Sequence, residues 1–131
     1  MLSQGPAGYA FNRTRHAYLA TRLSLADTHW SRFLGLMGTT PADFRSGQGL
    51  WIVPSHGVHS FAMRFPIDVV YVDRCGVVIY LERQLKPWRL APVRRKAVSV
   101  LELPANTLDT TGTSLGDELE IAMGRHREAS A

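Results

Sequence analysis

The run Ile67-Asp-Val-Val-Tyr-Val-Asp-Arg-Cys-Gly-Val-Val-Ile-Tyr-Leu-Glu82 decides the fold of this chain. Its first half is a nearly continuous series of β-branched and aromatic residues, which is typical of a strand that is buried on both faces. The four residues from Asp73 to Gly76 then supply the Asp and Gly that tight turns select. The pattern predicts a β-hairpin over residues 67–82. We expect the hairpin to be central in its sheet, because its first strand is apolar on both faces.

Short apolar runs separated by turns make up most of the remaining sequence. Residues 9–25 alternate apolar and polar side chains in the manner of one long strand or a bent hairpin. Residues 106–112 are expected to form a turn or a weak helix. Further strands are predicted at residues 50–53, 58–63, 97–103 and 118–123.

A helix is predicted over residues 28–38, where four apolar residues recur at helical spacing. Asp27 or Thr28 can cap its N-terminus, and Gly38 lies just past its end. Together, the elements predict a mainly β fold. The expected architecture is a single-domain β-sandwich or small barrel of about seven short strands, with the helix near 28–38 packed across it.

Length and composition indicate one domain with an ordinary core. The chain has 131 residues, of which 45% are hydrophobic and 20% are charged. These values are typical of a globular domain and not of a disordered chain. We therefore expect a single domain over residues 1–131, with a core at about residues 10–123 and a frayed tail at 124–131.

As written, the sequence contains no membrane span and no export signal, so we expect a cytoplasmic protein without a membrane partner. No apolar stretch approaches the roughly 20 residues that cross a bilayer. No basic residue precedes Arg13, and no signal-like apolar stretch follows. The single cysteine, Cys75, excludes an intramolecular disulfide and fits a reducing compartment.

Two carboxylates that interrupt apolar strands mark the candidate site. Asp68 lies near the start of the apolar run, and Glu102 lies between two leucines. A buried polar group without a partner costs roughly 1–3 kcal/mol, so each carboxylate needs a partner or a use. We predict that Arg64, Asp68 and Glu102 line one ligand-binding cleft, with His56 or His59 at its rim.

Two other interpretations of these residues stay open. Arg64 and Asp68 can form a structural ion pair across the bend at Pro66, inside a sealed network without a cavity. If their strands are neighbours, Asp68 and Glu102 can instead form a carboxylate pair for general acid–base catalysis. Asp68 and Glu102 are therefore the catalytic candidates of a hydrolase-type alternative, and the sequence does not decide whether the chain is an enzyme.

The segment His56-Gly-Val-His59 has a spacing that can bring two imidazoles to one metal ion. No Cys-x-x-Cys or His-Glu-x-x-His motif accompanies it, and the chain lacks a phosphate-binding glycine loop and a dinucleotide fingerprint. We therefore expect no metal and no cofactor. The two histidines are expected to form hydrogen bonds with loop carbonyls.

A basic loop over residues 83–96 is the second candidate surface. The formal net charge is +4, and most cations are scattered along the chain, but this loop is dense in them. The loop is either a solvated surface or an anion-binding surface, and a nucleic acid or another polyanion is one candidate partner. With Trp88 as a stacking platform, the anion-binding candidates are Lys86, Trp88, Arg89, Arg94, Arg95 and Lys96.

Several blocks of the sequence, taken in order, resemble the bacterial and archaeal family called domain of unknown function 192 (DUF192). The blocks are RFLGLM at 32–37, GLWIV at 49–53, FAMRFPIDVVYVD at 61–73, GVV at 76–78, VLELP at 100–104 and GD at 116–117. The resemblance covers about residues 20–122 and implies one small β-rich domain without an established reaction. The family usually has glycine where this chain has Asn106, so the resemblance implies a positive φ there, which Asn tolerates.

From these observations we expect a small ligand-binding or accessory domain with a polar cleft around Arg64, Asp68 and Glu102. Its small ligand is unknown. A hydrolase acting through Asp68 and Glu102 is one alternative function. Polyanion or nucleic-acid binding through the 83–96 loop is the other.

Overall fold

The computed structural model describes residues 7–28, 32, 36 and 38–124, and this part of the chain contains seven β-strands. A 3₁₀ helix occupies Pro41–Asp43, and an α-helix, α1, occupies Thr107–Thr111. The strands are β1 (Gly8–Asn12), β2 (Ala17–Ala26), β3 (Gln48–Ile52), β4 (Ile67–Asp73), β5 (Val78–Leu85), β6 (Ala97–Pro104) and β7 (Leu119–Ala122).

All seven strands belong to one sheet, in the order β5-β4-β6-β3-β2-β1-β7. Neighbouring strands are antiparallel except β2 and β3, which run parallel. The sheet is curled, and Val77, just before β5, bridges Glu118, just before β7, while the Val78 N–H donates to the Asp117 carbonyl at 2.9 Å. The protein is therefore a mainly β half-barrel, and the fold class predicted from the sequence is confirmed.

Apolar clusters cover both faces of the central strand β4. One cluster contains Val69 and Tyr71, and the other contains Val70 and Val72. Each of these side chains is at most 2% exposed. Because successive side chains of a strand point to opposite faces, only a continuous apolar run can fill both clusters. This is the pattern that the sequence shows.

The predicted hairpin over residues 67–82 is confirmed, although only its first strand is central. β4 lies between β5 and β6, whereas β5 ends the strand order, so the expectation that the whole hairpin is central is wrong. In the connecting turn, Asp73 Oδ1 accepts hydrogen bonds from the N–H groups of Cys75 at 2.8 Å and Val77 at 2.9 Å. Gly76 supplies the positive φ of 82° that the turn requires.

The predicted strand at residues 58–63 is wrong, because side-chain contacts hold this segment as a loop. His59 forms a single bridge with Leu90, and Ala62 has a positive φ of 60°, which interrupts extended backbone. The buried Ser60 hydroxyl contacts backbone atoms of residues 86–89. The segment therefore packs the basic loop against the fold and adds no strand to the sheet.

The predicted helix at 28–38 lies mostly outside the described residues. Within it, Arg32 is helical, and its N–H donates to the Thr28 carbonyl at 2.9 Å. Residues 125–131, which make up most of the expected frayed tail, also lie outside the described range.

The weak helix expected at residues 106–112 is confirmed as α1. Asn106 at its N-cap has a φ of 76°, which agrees with the positive φ implied by the family resemblance. No helix in the described part of the chain is long and apolar enough to cross a membrane.

Candidate functional site

A cavity of about 200 Å³, the Glu102 cavity, is lined in part by Glu102. Engineered protein cavities of about 150 Å³ hold benzene, so this one can take a molecule slightly larger than a six-membered ring. Its polar lining comes from Arg32, Ser55, His59 and Glu102, and its apolar wall comes from Ile52, Pro54 and Val58.

Glu102 is the buried carboxyl group of this cavity, and its place in β6 puts it among apolar neighbours. It pairs with Leu50 of β3 on one side and with Val69 of β4 on the other, and both belong to one apolar cluster. Glu102 is 1% exposed, and burial raises the pKa of its carboxyl group from the usual 4.5 to about 8. The carboxyl group is therefore mostly protonated and uncharged near neutral pH.

Glu102 Oε1 is buried without a hydrogen-bond partner among the described residues. An unpaired buried polar atom costs about 1–3 kcal/mol, and such atoms are rare in native structures unless a ligand, a water molecule or a reaction uses them. Glu102 also lines the adjoining cavity, although its Oε1 is not itself exposed there. Glu102 is therefore the candidate binding residue of this cavity.

Asp117, by contrast, is a buried carboxylate that the fold itself satisfies. Asp117 Oδ2 accepts hydrogen bonds from Asn12 Nδ2 at 2.9 Å, from Arg15 Nε at 3.0 Å and from the Ser114 N–H at 2.9 Å. Burial alone would raise the pKa of Asp117, but the hydrogen bonds from Arg15 and Asn12 outweigh it and lower the pKa below the usual 3.8. Asp117 ties the start of the chain to the segment before β7.

Asp68 lies on the face of the sheet opposite to Glu102. In the β4–β6 ladder Asp68 pairs with Leu103, while the next residue, Val69, pairs with Glu102. Because neighbouring positions of a strand point to opposite faces, the two carboxyl groups point away from each other. The structure therefore does not bring Asp68 and Glu102 into one cleft.

Backbone N–H groups occupy both oxygens of Asp68. Asp68 Oδ1 accepts from the Gln84 N–H and Oδ2 accepts from the Leu108 N–H, both at 2.9 Å. The first bond closes a bulge in β5, where Gln84 has a positive φ of 51°. The second satisfies an N–H in the first turn of α1, where helix donors lack partners within the helix. These contacts give Asp68 a structural role.

The two other predicted cleft residues, Arg64 and His56, do not line the Glu102 cavity. Arg64 is exposed and, within the described residues, forms no ion pair with the buried Asp68. His56 Nδ1 lies 2.6 Å from the carbonyl of Ala97, the first residue of β6, so its partner is a strand carbonyl and not the loop carbonyl that was expected. His59 does line the cavity, so the structure brings together Glu102 and His59 from the predicted set.

Sequence reasoning missed two polar residues of the cavity, Arg32 and Ser55. Arg32 opens the first family-like block, and Ser55 directly follows Pro54, a few residues beyond the end of β3. In the sequence, Arg32 indicates only a place in the predicted helix, and Ser55 indicates only a loop after a proline. Nothing in their spacing connects them with Glu102, which is more than 40 residues further along the chain. The described residues contain no group of three or more His, Cys, Asp or Glu side chains able to hold a metal ion.

The anion-binding candidates of the basic loop lie on the surface and outside the Glu102 cavity. The loop runs alongside residues 56–60 and is held there by backbone hydrogen bonds. The Arg94 N–H donates to the His56 carbonyl at 2.8 Å, and the Ala91 N–H donates to the Val58 carbonyl at 3.0 Å. The exposed candidates are Lys86, Trp88, Arg89, Arg94, Arg95 and Lys96.

The chain is similar to a family profile and to curated proteins from archaea. The family profile DUF192, described as Uncharacterized ACR, matches residues 10–121. A UPF0127 protein of Thermococcus sibiricus is 30% identical over 123 residues, which cover 90% of this chain and 77% of the relative. A UPF0127 protein of Pyrococcus furiosus is 30% identical over 114 residues, which cover 83% of this chain and 94% of the relative.

The same fold occurs in a crystal structure of a protein of unknown function from Novosphingobium aromaticivorans. The TM-score is 0.74, the sequence identity is 19%, and the match covers 87% of this chain and 83% of that protein. At this identity the likeness concerns the fold alone.

Proposed function

The chain belongs to the DUF192 family, and we propose that it is a binding domain that holds a small molecule in the Glu102 cavity. One observation carries the proposal: Glu102, whose buried Oε1 has no partner among the described residues, lines a cavity of about 200 Å³. The family description assigns no reaction, so the support comes from the chemistry of the lining.

The lining favours a small neutral or anionic ligand that carries acceptor oxygens. A protonated carboxyl group such as that of Glu102 offers one donor and one acceptor. Arg32 adds a permanently charged donor group to the same cavity. A carboxyl, amide or hydroxyl group on a ligand of about ring size satisfies these requirements.

Binding is better supported than hydrolysis by a pair of carboxylates. Hydrolysis of that type places two carboxyl groups on either side of one bond, about 5–10 Å apart. Glu102 lines the cavity, but Asp68 points to the other face and is engaged by two backbone N–H groups. A catalytic pair formed by these two residues therefore has no support in the geometry.

We also propose where the protein is located and which residues form its domain. The exposed free thiol of Cys75 supports a reducing compartment, and we place the protein in the cytoplasm. Because β1 and β7 pair with each other at opposite ends of the chain, we propose that residues 10–123 form one folding unit.

In a thermal-shift screen of metabolites, sugars, nucleotides and divalent metals at pH 6.5, we expect a small oxygen-bearing molecule to raise the melting temperature. A ligand at about 100 times its dissociation constant adds roughly 2.7 kcal/mol to the stability of the native state. Glu102→Gln keeps a donor and an acceptor and should retain most of the shift. Glu102→Leu removes both and should abolish it.

Two variants outside the cavity serve as controls for this screen. Arg64→Ala and His56→Ala should leave the shift unchanged, because neither residue lines the cavity. Raising the pH through about 8 should weaken binding to the wild type and not to Glu102→Gln, since only Glu102 loses its donor proton. A shift that survives Glu102→Leu would contradict the proposal.

A further inference from the structure

The excess positive charge of the protein is concentrated in the basic loop. Residues 83–96 contain six Lys and Arg residues and no carboxylate. The rest of the sequence contains the other nine cations and all eleven carboxylates. Arg83 is neutralised by Asp109 at 3.0 Å. Among the described residues, no ion pair engages the remaining five cations of the loop, which are Lys86, Arg89, Arg94, Arg95 and Lys96.

An aromatic row leads from the Glu102 cavity to this loop. The ring of His59 lies 5.1 Å from that of Phe61, and the ring of Phe61 lies 6.0 Å from that of Trp88, measured between centroids. The planes of Phe61 and Trp88 are inclined by only 26°, so the two rings are stacked. Phe61 is 39% exposed and Trp88 is 63% exposed, although large aromatic side chains are ordinarily well buried.

The fold holds Trp88 in this exposed position through the buried Ser60. Trp88 has a positive φ of 63°, which is unfavourable for a bulky residue. The Trp88 N–H donates to the Ser60 carbonyl at 2.9 Å, and the Arg89 N–H donates to Ser60 Oγ at 2.8 Å. Ser60 Oγ donates in turn to the Lys86 carbonyl at 2.5 Å. A strained backbone maintained by so many contacts is typical of a functional position.

We propose that the Phe61–Trp88 stack and the five loop cations that form no ion pair with the described residues make up a binding surface for single-stranded nucleic acid. Bases stack on exposed aromatic rings without regard to sequence, and nearby cations follow the phosphate backbone. Trp88 and the cations lie on the loop that backbone contacts with residues 56–60 keep in place, and Phe61 directly follows those residues. This activity is separate from the small-molecule site and does not depend on it.

An anionic membrane is the competing partner, because Leu90 and Val93 are also exposed on the loop, by 73% and 69%. Aliphatic side chains insert into lipid, whereas they offer no flat face to a base. The near-parallel aromatic rings therefore favour nucleic acid. Replacing Leu90 distinguishes the two partners, because the change should weaken binding to a membrane and not binding to a nucleic acid.

The test is fluorescence anisotropy with a labelled oligouridine of about 12 nucleotides, which is within the site sizes of such surfaces. We expect binding at 50 mM salt that weakens about 100-fold at 200 mM salt, as five phosphate contacts predict. Trp88→Asn, which tolerates a positive φ, and Phe61→Ala should each weaken binding about 10-fold through lost stacking. Leu90→Ala should change the affinity less than twofold.

Arg89→Ala should weaken binding severalfold. Its matched control is Arg22→Ala, which removes an exposed cation from β2 and should leave binding unchanged.

Vesicles of phosphatidylcholine and phosphatidylserine are used in the same experiment to test binding to a membrane. The proposal is overturned if no oligouridine binds at protein concentrations up to roughly 100 µM in 50 mM salt. It is equally overturned if Trp88→Asn and Phe61→Ala bind like the wild type, or if only vesicles bind and Leu90→Ala abolishes that binding.

Discussion

The wild-type protein is expected to lose stability as the pH rises from about 4.5 to about 8, and Glu102→Gln is expected to remove that loss. Burial raises the pKa of Glu102 in the folded state above its usual value in the unfolded chain. Below the unfolded value both states hold the proton, and the stability is fully present. Between the unfolded and the folded pKa only the folded state holds the proton, so each added pH unit lowers the unfolding free energy by up to about 1.4 kcal/mol.

The loss should total a few kcal/mol, which is a large part of the 5–15 kcal/mol typical of a small domain. It is measured as the difference in the urea unfolding free energy between the wild type and Glu102→Gln at each pH. Glu118→Gln makes the same chemical change at an exposed position and should follow the wild type. The lowered pKa of Asp117 changes the unfolding free energy only where the pH falls below its usual 3.8. It therefore does not affect this comparison between pH 4.5 and pH 8. Parallel curves for the wild type and Glu102→Gln would show that Glu102 is not held protonated by burial.

Asp68→Ala is expected to cost about 3–5 kcal/mol of unfolding free energy. The change leaves the N–H groups of Gln84 and Leu108 without an acceptor and opens space in the apolar cluster around Val70. Losses of this size follow when a buried charged acceptor is removed from two donors. Asp68→Asn should cost less, because its amide oxygen can still accept one of the two bonds.

Urea unfolding at pH 7 provides the measurement, and Asp109→Ala provides the comparison. Asp109 is an exposed carboxylate paired with Arg83, with side-chain exposures of 64% and 51%, and exposed pairs contribute about 1 kcal/mol or less. If Asp68→Ala cost no more than Asp109→Ala, the structural role of Asp68 would be refuted.

Local patterns predicted the central hairpin of the fold well, because burial and local turn hydrogen bonds determine most of its residues. The run from Ile67 to Val72 reflects burial on both faces, and the turn at Asp73 reflects its own hydrogen bonds. The segment 58–63 was predicted wrongly because Ala62 has a positive φ and the backbone of the segment contacts the basic loop instead of a strand of the sheet. A short apolar run does not distinguish these two environments.

The candidate site was predicted only in part, because the register of the strands decides which side chains meet. Asp68 and Glu102 both interrupt apolar strands, and sequence alone treats them alike. The ladder between β4 and β6 places Val69 opposite Glu102, and this offset of one residue sends the two carboxylates to opposite faces. Arg32 reaches the cavity through tertiary packing, for which its local sequence contains no signal.

The most direct test of the Glu102 cavity is a carbon-13 NMR titration of the glutamate carboxyl groups, with and without the ligand found by the screen. One resonance should titrate near pH 8 and be absent in Glu102→Gln. The ligand should shift this resonance and raise its midpoint, since it accepts a hydrogen bond from the protonated carboxyl group. A Glu102 resonance that titrates near the usual 4.5, or that ignores a ligand bound to the protein, would contradict the assignment of this cavity as the binding site.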